Sequence, residues 1–270
     1  MRSGFVLLAH SLKRARMLVL VMGVLLAGFQ IFLTLIGRSL HQSNAFDQIS
    51  SLMPPFMRQL MGPSFMGLMS FAGIIAIGYF HIAIMGSLVG LIISLATLPA
   101  SEIETKFIDS ILARPLARHW IITRTIALVI ICTLVVLIFM MLGTWIGLAT
   151  LAPADAIKPS ASLILSLAVN LGALMLCWSG VGLAISSASR RRTVAGALTG
   201  FLALATFLLD YIARAWSPAA SVGWVSPFRY YNPLDIIMGL DVPAYHLWVL
   251  IGIALAGFVA AYVSFSRRDI

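Results

Sequence analysis

The sequence predicts an all-α integral membrane protein, and three observations carry that prediction. Hydrophobic residues make up 61% of the chain and charged residues only 10%, against about 25% charged in a soluble domain. Apolar runs of helical period recur, several of them long enough to cross a ~30 Å hydrocarbon core, which takes about 20 residues. Lys and Arg are shared unevenly among the segments between these runs, as expected when one side of a membrane collects positive charge. A large soluble core does not account for the excess, because a soluble protein still needs a wetted surface. The chain reads as one domain, residues 1–270.

Six spans are expected, at about 17–36, 67–98, 121–149, 161–187, 194–212 and 246–265. The first follows Lys13, Arg14 and Arg16, with no clean small-residue cleavage site after it, so it reads as a permanent helix and not a signal peptide. Residues 3–16 are basic and partly apolar, which fits either an amphipathic surface helix or a simple positive anchor. Between spans one and two, Pro54-Pro55 and Gly62-Pro63 bracket a short interfacial helix. Span two is long, about 48 Å if wholly helical. It is expected to tilt, protrude, or break near Gly73, Gly78, Gly86 or Gly90. Between spans five and six, Trp216, Trp224, Phe228, Tyr230 and Tyr231 suit an aromatic belt at headgroup level, and the segment, apolar yet full of Pro and Gly, is expected to lie at the outer surface or re-enter shallowly. Asp210 is placed to pair with Arg214 at i+4.

With both termini cytoplasmic, the inner side holds Arg2, Lys13, Arg14, Arg16, Lys106, Arg114, Arg118, Arg124, Arg190, Arg191, Arg192, Arg267 and Arg268. The outer side holds Arg38, Arg58, Lys158, Arg214 and Arg229. That division is 13 against 5 of the 18 basic residues. The net charge of +9 therefore reads as topology, not as a nucleic-acid surface. Cys132 and Cys177 both fall inside apolar spans and read as packed small hydrophobes.

One segment breaks the pattern. Seven of the 24 positions from Ser101 to Arg124 are charged, whereas 65–99 and 125–153 contain no Lys, Arg, Asp or Glu. At mid-bilayer each charge costs roughly 2.5–3.5 kcal/mol, so the segment is expected outside the hydrocarbon. Ser101-Glu102-Ile103-Glu104 matches a capping box, Glu102 stands four residues before Lys106, and Arg114-Pro115 ends the run. At 100° per residue Ile103, Phe107, Ile108 and Ile111 share one face, and Glu102, Lys106 and Asp109 the opposite one. The expectation is an amphipathic helix joined to spans two and three, either a surface connector or a docking element, followed by a basic patch of Arg118, His119 and Arg124.

SEIETKFIDSILARPLAR resembles the element of type-2 ABC (ATP-binding cassette) transporter permeases that reads, loosely, E-x-E-x-G-T-L-E-x-L-L-A-x-P-V-S-R. Glu102, Glu104, Asp109, Ile111, Leu112, Ala113, Pro115 and Arg118 fall at matching positions, and Lys106 stands where the family usually has Gly. SPFRYYNP resembles the family's segment before its last span, and SFSRRDI its terminus. The resemblance covers essentially the whole chain. It implies the membrane subunit of an exporter in a bacterial plasma (inner) membrane, working as two permeases, homodimeric or with a close relative, and two cytoplasmic ATPase subunits. The helix between spans two and three would be the coupling helix, with Glu102, Glu104, Phe107, Asp109, Ile111, Arg114 and Arg118 at the ATPase. Gly196 and Gly200, at i+4 in span five, leave a small-residue face for a permease–permease contact. No catalytic, cofactor-binding or metal residue is expected in this chain. No G-x-x-x-x-G-K-[ST] loop occurs in it, so Mg-ATP is expected on the partner subunit.

Two other classes compete. A membrane-embedded enzyme needs paired acids, an H-E-x-x-H, or a nucleophile with its base, and none of these spacings occurs. An ion-coupled carrier usually holds several ionisable groups at mid-membrane, and only His81 is placed that deep. His81 reads more readily as a packing residue.

Overall fold

The computed structural model describes residues 2–43, 68, 70–107, 117–240 and 243–267. Among them six helices are long and apolar enough to cross a membrane, and the described residues contain no strand. The long helices are α1 (Arg2–Gln42), the pair α2 (Phe71–Phe80) and α3 (Ile82–Ala96), α5 (His119–Thr150), α6 (Ala161–Ala188), α7 (Arg192–Ala215) and α10 (Ala244–Ser266). Short helices fill the gaps: α4 (Leu98–Glu104), α8 (Ser217–Ala220) and α9 (Pro233–Ile237), with 3-10 turns at Gly223–Val225 and Pro227–Tyr230.

The basic stretch before the first span is no separate element. α1 runs unbroken for 41 residues, about 60 Å at 1.5 Å per residue, because no proline interrupts it. Its core-facing side (Ala15, Val19, Leu26 and Leu33) is buried, while Met17, Val21, Val24 and Leu25 are exposed. α1 lies along α5, and their backbones nearly touch where Gly143 meets Ala27. At its far end His41 Nε2 lies 2.9 Å from Asp155 Oδ2, and that hydrogen bond holds the Asp155 carboxyl below its usual range.

α6 is the central helix. It packs against α3, α5, α7 and α10 and buries Trp178, Leu174, Cys177 and Leu183. Its closest neighbour is α10, where Gly180 faces Gly257 and Ala254 backbone to backbone. Lipid tails are as apolar as the helices, so association in a membrane relies on close packing, which small residues permit. Cys132 and Cys177 are buried and unbonded, as their setting implied.

One core fills most of the bundle. A second, smaller cluster gathers Ala96, Ile121, Ile122, Leu183, Ala261 and Phe265, with Leu7 and Ile103 against it. It brings the start of α1 and the end of α10 to the same end of the bundle. That is the end bearing the charged segment.

Span two departs from expectation. It breaks, but at His81 and at none of its glycines. His81 has φ −57° and ψ 131°, an extended ψ that removes the i→i−4 geometry across it. The segment after α7 takes the re-entrant alternative, and its aromatic belt is only partial. Trp216 and Trp224 are exposed as a belt requires, but Phe228 and Tyr231 are buried. Phe228 packs its ring against Trp178 and Phe207, and Tyr231 reaches into the bundle. The re-entry is held by Ser226, whose hydroxyl donates to the Thr206 carbonyl at 2.8 Å. The expected Asp210–Arg214 pair forms at 2.8 Å. The bracketed helix at 54–63 lies outside the described residues.

Candidate functional site

The charged segment begins earlier than its capping box implied. α4 starts at Leu98 with Pro99 in its first turn, where a missing N–H costs nothing. Ser101 is therefore inside the helix and caps nothing; its carbonyl accepts the Thr105 hydroxyl at 2.9 Å. α3 and α4 run on nearly as one rod. Thr97 N–H donates to Ile93 and Ser101 N–H to Thr97, so i→i−4 bonds cross the junction. Ala100 N–H turns aside to Ser186 Oγ of α6 at 3.1 Å.

The helix also ends earlier than expected, at Glu104. Lys106 takes φ 54°, the left-handed conformation that closes a helix and that glycine adopts without strain. Its N–H donates back to the Ile103 carbonyl at 3.1 Å. This is the position where the resembled element has Gly, and lysine here makes a glycine-like turn. A single helical wheel from Ser101 is therefore interrupted at Thr105 and Lys106, and Ile108 and Ile111 lie outside the described residues.

Side-chain placement follows. Glu102 is not an exposed rim charge and does not pair with Lys106. It is buried and accepts from Arg124 Nη2 of α5 at 2.8 Å, with the two side chains 9% and 3% exposed. Arg124 is thus no part of a surface patch. Glu104 is exposed and accepts the backbone N–H of Arg192 at 2.9 Å. That N–H opens α7, so the carboxylate sits at a helix N-terminus, where negative charge is favoured. The Arg192 guanidinium donates to the carbonyl and hydroxyl of Ser94, both at 3.1 Å. Ile103 packs on the second core cluster. Phe107, just past the turn, is 44% exposed and not packed away on an apolar helix face. Arg118 is exposed at the start of α5. Asp109, Ile111 and Arg114 lie outside the described residues.

The result is a polar knot that fastens one short helix to three spans: Glu102 to α5, Glu104 to α7, and Ala100 to α6. The sequence does not single out Arg192, Ser94 and Ser186 as partners of this segment, and it presents Arg124 only as part of a basic patch. Arg124 had a usable signal. It stands inside the apolar run of span three, and a charge there needs a partner. Arg192, Ser94 and Ser186 left no such mark.

The small-residue positions of span five stand open. Gly200 has nothing within 4 Å of where a Cβ would sit, and Gly196 only an Ile93 methyl at 3.9 Å. Phe201, Leu204, Leu208 and Tyr211 on the same helix are exposed. Among the described residues no three His, Cys, Asp or Glu side chains gather as metal ligands. No protein-family model matches the chain, and no curated protein matches it. The fold and this site define the class, a six-span helical membrane protein with one charged, anchored segment at an end of its bundle.

Proposed function

We propose that the chain is the permease subunit of an ATP-binding cassette exporter, with the segment 98–107 as the element that docks on a separate cytoplasmic ATPase. The observation that carries this reading is the anchoring of that segment. A passive connector needs no buried ion pair. This one has Glu102–Arg124 fixed to span three, Glu104 fixed to span five, and an exposed aromatic, Phe107, at its tip. A force applied at Phe107 therefore reaches three spans through short hydrogen bonds. The charged end is cytoplasmic in this reading, both termini lie there, and the membrane is a bacterial plasma membrane. ATP and magnesium belong to the partner subunit. Two copies, or one with a close relative, form the pathway, with the open face at Gly196 and Gly200 in their contact.

The test is co-purification of the chain with its partners, followed by ATP hydrolysis and transport in proteoliposomes. Phe107→Ala removes a large exposed anchor and is expected to weaken ATPase binding by tenfold or more, because buried aromatic anchors at interfaces are worth about 2 kcal/mol or above. Normal binding and transport by Phe107→Ala would reduce the segment to a connector. Purification with no ATPase at all would return the chain to the ion-coupled carriers.

A further inference from the structure

Span two is two rods meeting at His81, and both groups of one hydrogen bond released by the break find partners elsewhere. In a continuous helix the Ala83 N–H would donate to the Tyr79 carbonyl. Here the Ala83 N–H donates to His81 Nδ1 at 3.3 Å, and the Tyr79 carbonyl accepts the Tyr231 hydroxyl at 2.6 Å. Tyr231 lies outside the spans, and its burial raises the phenol well above its usual value, so it remains a donor. The outer rod, α2, is held to α1: Gly78 packs on the Gln30 amide, and His81 meets the Phe29 ring at 5.9 Å. The Gln30 amide is fully buried, yet neither its nitrogen nor its oxygen has a partner. The inner rod, α3 continued by α4, packs instead on α5, α6 and α7. At its start one face is open, with His81, Ile82, Ala83, Gly86, Ser87 and Gly90 exposed, while Ile84, Leu88 and Val89 are buried.

We infer that His81 is a hinge with two hydrogen-bonded states, the broken span described here and a straighter one in which Ala83 N–H returns to the Tyr79 carbonyl. The N–H carries one proton, so His81 and the Tyr79 carbonyl compete for it. Tyr231 stabilises the broken state by occupying the carbonyl. The Gln30 amide, a donor and an acceptor beside the joint, is positioned to serve backbone groups that the change exposes. The far end of the rod is tied to α5, α7 and α6 through Glu102, Glu104 and Ala100, so a change at the hinge shifts the tip together with those contacts and not free of them. That the tip is where an ATPase acts rests on the permease reading above; the hinge itself does not.

The test uses the permease alone in lipid nanodiscs, with Cys132 and Cys177 replaced by alanine and spin labels at Leu35→Cys, on α1, and Thr105→Cys, at the tip. Ile82→Pro locks the break, because proline suits the first helical position and drives the residue before it to extended ψ. It is expected to give one sharp distance. His81→Ala and Tyr231→Phe each remove one hydrogen bond of the broken state and should raise the population at a second distance about fivefold, the effect of an ordinary hydrogen bond. His81→Asn keeps an acceptor at a helix start and should behave as wild type. If His81→Ala and Tyr231→Phe both fold and give only the Ile82→Pro distance, the hinge is overturned, whatever the chain does with an ATPase. If the second distance appears but no ATPase co-purifies, the hinge stands and the permease reading falls.

Discussion

Among the described residues Arg124 has Glu102 alone to answer its charge, and its Nε finds no acceptor there. Removing one member of a buried pair typically costs about 3–5 kcal/mol, whereas replacing both by apolar groups is often neutral. Glu102→Gln is therefore expected to destabilise the protein by that amount, and Glu102→Leu with Arg124→Met to restore most of it. Thermal unfolding of wild type, Glu102→Leu, Arg124→Met and the double variant in detergent closes the cycle; equal losses in the single and double variants would mean the pair is not buried. Lys106 makes the opposite prediction. An L-residue in the left-handed region is strained by roughly 1–2 kcal/mol, so Lys106→Gly is expected to stabilise by about 1 kcal/mol, and Lys106→Val to destabilise. A loss on placing Gly would show that φ is not positive there. Of these contacts only Asp210–Arg214 could be read from the sequence, because its partners are one turn apart. Glu102–Arg124 spans 22 positions and Tyr231–Tyr79 spans 152, and no local pattern points across such gaps.

The spans themselves were legible, because a helix in lipid satisfies its own backbone and needs only length and apolar composition. Their interruptions were not. Glycine marked four plausible breaks in span two, yet all four positions stay helical. The chain breaks at His81, where a side chain and a distant tyrosine supply the missing partners. The capping box at Ser101 misled for a related reason: Pro99 already fits a first turn, and the helix starts there instead. Packing between elements leads to a further expectation. The α6–α10 contact leaves no room for side chains at Gly180 or Gly257, since any added Cβ meets backbone, which has no rotamer to change. Gly180→Leu should separate the two helices and lower the unfolding temperature by more than the same change at Gly252, which faces open space. Equal effects would show that the two helices are not in close contact.

For the whole molecule, the second core cluster fixes both ends of the described chain at one end of the bundle. The uneven basic residues lead to the expectation that this end faces the cytoplasm. Thr105 is exposed there. Single cysteines at Ser221 and Thr105, in a background lacking Cys132 and Cys177, are expected to react oppositely with an impermeant thiol reagent: Ser221 from outside intact cells, Thr105 only after lysis. Labelling of Thr105→Cys in intact cells would invert the molecule and remove any cytoplasmic partner. A cross-link between two copies at Ala197→Cys, on the exposed face of α7, would place that face between permeases. A complex holding one copy only would leave it to lipid.

The Glu102–Arg124 pair also orders events during synthesis. Glu102 leaves the ribosome 22 residues before Arg124, about 1–4 s earlier at ordinary elongation rates. During that interval the carboxylate lacks the partner it has in the folded chain, and afterwards the arginine at the start of the third span is buried against the end of the second. The two spans are therefore most readily accepted by the insertion machinery as a hairpin, the acid waiting at the interface until its partner arrives.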